Sequence, residues 1–214
     1  MFFFYQILVT FLLLSAPLII ILRIFKGKED KKRYIEKFSI PTQKRDSGNL
    51  IWFHGASVGE IMSIVPLLKN YEKDKSINQI LVTSSTLSSS KIIKKFKFKK
   101  TIHQFYPIDY FLFNYRFLEH WKPNLAIFIE SEIWPSMFIS LKNKNIPLIL
   151  LNARLTKKTF HKWMKIINFS KSIFDKIDIA YPQNLETKSF LKRIYVRTIK
   201  LIGNLKFIEN SQDN

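Results

Sequence analysis

From Leu50 onward, short and nearly unbroken apolar runs alternate with longer stretches of helical spacing. The runs fall at 50–54, 79–83, 102–106, 124–129, 147–151, 177–180 and 198–201. Between them, apolar residues recur at helical intervals over 58–72, 87–97, 110–120, 133–144, 157–175 and 184–193. A run that is apolar throughout suits a strand covered on both faces. Helices of ten or more residues between such runs are the crossovers that parallel strands need. The pattern therefore predicts an α/β domain over residues 49–208, built on a doubly wound parallel sheet, with a short tail at 209–214.

The amino terminus follows another pattern. Phe2 to Leu22 carries no charge and is about as long as the roughly 20 residues that cross a hydrocarbon core. Arg23, Lys26, Lys28, Lys31, Lys32 and Arg33 follow at once. No basic residue precedes the run and no small-residue cleavage pattern follows it, so it reads as an anchor and not as a removed leader. Positive charge behind it keeps the remaining chain on the cytoplasmic side. The expected order is an anchor at 1–25 and a basic juxtamembrane linker at 26–48, with a short helix near Arg33 to Phe38. Pro17 can kink the anchor, and a shallow insertion that does not cross stays open.

Polar residues gather at the expected carboxyl ends of the strands, where open α/β sheets bind ligands. The first cluster is His54-Gly55-Ala56-Ser57-Val58-Gly59-Glu60. Ser57 and Glu60 have the S-x-x-E spacing of a capping box, which by itself accounts for both. Gly59 weakens the start of a helix and is better explained by a close approach to the backbone. Thr83 and Ser84 end the second strand, Asp109 follows the third, and Glu130-Ser131-Glu132 follows the fourth. Asn152 and Arg154 follow the fifth, and Asn204 and Lys206 the last. Each also has a plain reading. His54 suits a hydrogen-bonded core histidine, Glu132 a helix cap facing the dipole, and Asn152 a cap for 157–175. Arg154 and Lys206 suit solvated surface charges. Glu130 ends a buried strand and needs a partner, for which Arg154 or Lys206 is a natural counter-charge.

Charge sharpens the picture less than it first promises. Lys and Arg number 35 against 16 Asp and Glu, a net charge of +19. Such an excess favours an anionic partner: nucleic acid, anionic lipid or a phosphorylated substrate. The abundance of Lys, Ile, Asn and Phe also fits compositional drift. No motif that stacks bases beside basic residues is present, and the anchor argues against nucleic acid. Without cysteine there is neither disulfide nor thiol chemistry, and the four histidines show no zinc spacing.

Taken together, His54-Gly55-Ala56-Ser57-Val58-Gly59-Glu60, Tyr106-Pro107-Ile108-Asp109, Glu130-Ser131-Glu132-Ile133-Trp134-Pro135, Asn152-Ala153-Arg154-Leu155 and Gly203-Asn204-Leu205-Lys206-Phe207 form an ordered set. This set resembles the amino-terminal half of the bacterial 3-deoxy-D-manno-octulosonic acid (Kdo) transferases, which add Kdo to the lipid A precursor. Thr86-Leu87-Ser88-Ser89 stands where that family usually has T-P-T-G. The resemblance implies a Rossmann-like acceptor domain of a B-type glycosyltransferase. It also implies a second domain, not found before Asn214, that supplies most contacts to the donor CMP-Kdo. On that expectation the chain is a fragment, a split gene product or half of a two-chain enzyme. The implied catalytic residues are Glu60 as general base, with Glu130 and Lys206 assisting the transition state. His54, Ser57, Gly59, Thr83, Ser84, Asp109, Glu132, Asn152, Arg154 and Asn204 are the candidate substrate contacts. The implied partners are the lipid A precursor (lipid IVA), CMP-Kdo and the inner membrane, with no metal or other cofactor. The alternative is a catalytically silent, anchored module that binds phosphorylated lipid A precursor or anionic lipid.

Overall fold

The computed structural model describes residues 1–201 and 203. Six apolar runs become strands: β1 (Leu50–His54), β2 (Gln79–Ser84), β3 (Thr101–Phe105), β4 (Leu125–Ile129), β5 (Leu148–Ala153) and β6 (Ile179–Pro182). Their order is β3-β2-β1-β4-β5-β6, and every neighbouring pair is parallel. The chain winds outward from β1 in one direction, then returns and winds outward in the other. The reversal leaves a crevice between the carboxyl ends of β1 and β4, the position where such sheets hold ligands.

Both faces of the sheet are covered, which is why its strands lack polar alternation. Along β1, Leu50 and Trp52 enter a core with Phe117, Trp121, Phe128 and Phe138. Ile51 and Phe53 enter the opposite core with Ile61, Ile64 and Leu68. The helices are α1 (Phe2–Phe25), α2 (Val58–Lys73), α3 (Leu87–Lys95), α4 (Phe111–Trp121), α5 (Pro135–Asn143), α6 (Lys157–Met164), α7 (Ile167–Phe174) and α8 (Leu185–Arg193). A 3-10 helix, Arg33–Phe38, stands between α1 and β1.

Two expectations need correction. The stretch 157–175 is not one helix but α6 and α7, broken at Lys165 and Ile166. Ser170 stabilises the break: its hydroxyl donates to the carbonyls of Trp163 at 2.6 Å and Ile166 at 3.1 Å. Among the described residues, 198–201 forms no strand. It meets the sheet through a single bridge from Ile199 to Ala180. The segment does lie where a seventh strand would, beside β6, but it pairs at one position only.

Candidate active site

The β1–α2 connection forms one side of the crevice. Gly55 leaves the strand, and a Cβ built there would lie 3.1 Å from the Glu60 Cβ. The glycine therefore makes room for the Glu60 side chain. Ser57 is the N-cap of α2, and its Oγ accepts from the Glu60 N–H at 3.3 Å. The Ser57 hydroxyl in turn donates to Glu60 Oε1 at 3.0 Å, while the Ala56 N–H donates to Oε2 at 2.7 Å. So the capping-box spacing is realised, with the carboxylate also taking the N–H one residue before the cap. At Gly59 a Cβ would meet nothing within 4 Å, so no packing inside the chain requires glycine there.

Opposite stands the β4–α5 connection. Glu132 Oε2 accepts from Trp134 Nε1 at 2.9 Å and lies 3.1 Å from His54 Nε2. His54 is fully buried, and its Nδ1 is 2.9 Å from Thr83 Oγ1. That same Thr83 oxygen accepts from Trp52 Nε1 at 2.9 Å and lies 3.4 Å from the Phe53 carbonyl, to which its hydroxyl can donate. A continuous chain of polar contacts thus runs from Trp52 through Thr83 and His54 to the Glu132 carboxylate. Tyr106 stacks on the His54 ring at 3.9 Å between centroids, and Trp134 packs against Tyr106. Burial pushes the Glu60 carboxyl above the ordinary glutamate range. The charge of Glu132 adds to that rise, and the bonds from Ser57 and Ala56 oppose it.

Other sequence-derived candidates are placed differently. The Asp109 carboxylate is buried and bonded by four donors. They are the Ser136 N–H at 2.9 Å, the Met137 N–H at 2.8 Å, Asn114 Nδ2 at 2.8 Å and the Tyr5 hydroxyl at 2.7 Å. Asp109, and not Glu132, meets the first turn of α5. Burial raises its pKa and these donors oppose the rise. The Ser84 hydroxyl lies 2.8 Å from Nε2 of His103, away from the Glu60–Glu132 pair. Thr86 caps α3 by accepting from the Ser89 N–H at 3.2 Å. Thr156, and not Asn152, caps α6. Asn152 lies buried in β5, at a register shift, with φ of 53°. Arg154 is exposed, and its N–H donates to the Glu130 carbonyl at 3.2 Å. Asn204 and Lys206 lie outside the described residues.

Glu130 follows β4 directly, with φ of 54°, and is buried. That left-handed backbone disfavours a residue bearing a Cβ by about 1–2 kcal/mol. Glu130→Gly and Glu130→Ala both delete the carboxylate, but only glycine relieves the backbone. We expect the glycine variant to be the more stable by about 1–2 kcal/mol in denaturant unfolding. Equal stability would show that the left-handed turn is not imposed by the fold.

Of the residues that the sequence motifs single out, the structure brings His54, Ser57, Glu60, Thr83 and Glu132 together at the crevice. Tyr106 and Trp134 belong to the same motifs without an expected part in the site, although they wall it. A signal for them is present in the sequence: aromatic residues directly after β3 and at the start of α5, where a solvated rim would carry polar ones.

The parallel order and its reversal between β1 and β4 define a Rossmann-like domain. A solved structure of UDP-GlcNAc 2-epimerase from Neisseria meningitidis shares this fold, with a TM-score of 0.54 at 13% identity over 78% of this chain and 50% of that one. Residues 32–209 match the family model of the 3-deoxy-D-manno-octulosonic-acid transferases, so the chain belongs to that family. It is 39% identical to the 3-deoxy-D-manno-octulosonic acid transferase of Rickettsia bellii, over 92% of this chain and 47% of the relative. It is also 39% identical to a probable mitochondrial 3-deoxy-D-manno-octulosonic acid transferase of Arabidopsis thaliana, over 88% of this chain and 43% of that protein. The chain thus spans about half the length of the curated relatives it matches.

Proposed function

We propose that this chain is the acceptor half of a glycosyltransferase that moves Kdo from CMP-Kdo to the lipid A precursor at the cytoplasmic face of the inner membrane. A donor domain beyond the residues present here completes the cleft. Glu60 is the general base that takes the proton of the acceptor sugar hydroxyl. The observation that carries this reading is the Glu60 carboxyl itself: half-buried at the crevice, raised above its ordinary pKa and seated opposite Glu132. A base whose pKa moves toward the working pH is a better proton acceptor in the transition state. His54, held by Thr83, fixes Glu132 in place. Glu130 and Lys206 are assigned to the charge that develops during transfer: cationic on the sugar and anionic on the departing CMP.

The bonds to Glu60 also favour a second reading. Both carboxylate oxygens accept from the chain's own loop, as in a purely structural cap. On that reading the domain holds phosphorylated lipid without turnover. Glu60→Gln separates the two, because glutamine keeps an acceptor for the loop but cannot take a proton. Transfer is measured with this chain supplemented by a family donor domain. Undiminished transfer by the variant removes the base, and lipid binding without turnover by the unaltered chain supports the silent module.

A further inference from the structure

We infer that α1 lies in the plane of the membrane surface, sunk into one leaflet along its whole length, and does not cross the bilayer. Its 24 residues are long and apolar enough to span, so composition does not decide the matter. Contacts with the domain do. Phe2, Tyr5, Val9, Leu13, Ala16, Ile20 and Ile24 are all at least partly covered, at the three-to-four-residue spacing of one helical stripe.

The stripe is fixed to the domain from end to end. At its start, the Tyr5 hydroxyl donates to Asp109, and Gln6 donates to the Ser136 hydroxyl and accepts from the Phe111 N–H. The Tyr5 ring also meets Phe169 of α7. Toward its end, Pro17, Ile20, Ile21 and Ile24 share a groove with Tyr34 and Phe38 of the 3-10 helix. Arg23 pairs with Glu29, which also pairs with Lys37, and the Lys37 carbonyl accepts from the Ile108 N–H. A helix of 24 residues is about 36 Å long, and crossing a hydrocarbon core takes about 30 Å of it away from the domain. Seating both ends on one domain, with Val9 and Ala16 buried between them, leaves no such length.

The opposite face presents Phe3, Phe4, Leu8, Phe11, Leu12, Leu18 and Leu22 outward. Its occupant is an anionic leaflet: the row carries no charge, the hydroxyls of Thr10 and Ser15 beside it donate back to the helix's own carbonyls, and Arg23, Lys26, Lys28, Lys31 and Lys32 follow at one end. None of this depends on the transferase reading.

The chain contains no cysteine, so single nitroxide labels can be placed cleanly. Labels at Phe4, Leu8, Phe11, Leu18 and Leu22 are compared on vesicles of phosphatidylethanolamine and phosphatidylglycerol. Depth is read from relaxation by oxygen and by a water-soluble nickel complex. All five should sit at one shallow depth, about 5–10 Å below the headgroup boundary. A depth changing by about 1.5 Å per residue, with Phe4 and Leu22 near opposite surfaces, would overturn the inference. So would labels that miss lipid and instead become immobile as protein concentration rises, which marks a second copy as the occupant.

Discussion

Replacing Glu36 with alanine lowers the free energy of unfolding by about 3–5 kcal/mol, the cost of leaving a largely covered cation without its partner. Glu36 is fully buried beneath the sheet edge. Its carboxylate accepts from Arg33 through Nε at 2.8 Å and Nη2 at 2.9 Å, from the Phe105 N–H at 2.7 Å and from the Thr42 hydroxyl. Arg33 is equally committed: it donates to the His103 carbonyl at 2.6 Å and lies over the Phe105 ring. Burial, then the charges of Arg33 and Lys94, drive the His103 pKa down to about 3, so that ring stays neutral beside the guanidinium. The double replacement of Arg33 by Met and Glu36 by Leu should cost less than Glu36→Ala, since it strands no charge. Denaturant unfolding in mild detergent measures both. A loss below about 1 kcal/mol for Glu36→Ala would mean that the 3-10 helix is not integral to the domain. The bond network is what carries the path from α1 to the sheet, so it also sets how α1 is held.

Under the proposed function, Glu60→Gln should reduce Kdo transfer, assayed with a family donor domain added, by about 10²–10⁴-fold, the usual contribution of a positioned general base. Its effect on stability should be small, because the amide oxygen can still accept from the Ala56 N–H or the Ser57 hydroxyl. That combination distinguishes a proton acceptor from a cap. A cap that matters only structurally would lose stability and transfer together under Glu60→Ala and lose neither under Glu60→Gln. Unchanged transfer by Glu60→Gln would leave the carboxylate without a chemical role.

Much of this molecule was legible because covering both faces of a sheet writes an unmistakable signature. Ile51 and Phe53 serve one core while Leu50 and Trp52 serve the other, so β1 had to be apolar throughout. The break between α6 and α7 was not legible, since apolar spacing continues across Lys165 and Ile166 and the feature that stabilises the break is one serine hydroxyl. Nor was 198–201, where an apolar run makes only a single bridge at the sheet margin. Among site residues, local spacing read Ser57 and Glu60 correctly as a realised cap at the ligand edge. Partners distant in sequence were harder. Asp109 bonds to Ser136, Met137 and Tyr5, so its role in starting α5 and docking α1 becomes visible only after folding. His54 was an acceptable core histidine and an acceptable site residue, and its two nitrogens satisfy both descriptions.

The proposed site depends on two acidic side chains, Glu60 and Glu132, coupled at the β1–β4 crevice, and carboxyl titration of this chain by ¹³C NMR reaches that claim directly. Glu60 should titrate above the ordinary glutamate range and shift downward in Glu132→Gln, because burial and then Glu132 raise it. The sign for stability follows. A folded pKa above the unfolded one means that the native state holds this proton more tightly. Glu60 therefore contributes stability in acid, below its unfolded pKa, and that contribution is lost as the pH rises through its folded value. An ordinary Glu60 titration, unmoved by Glu132→Gln, would contradict the account.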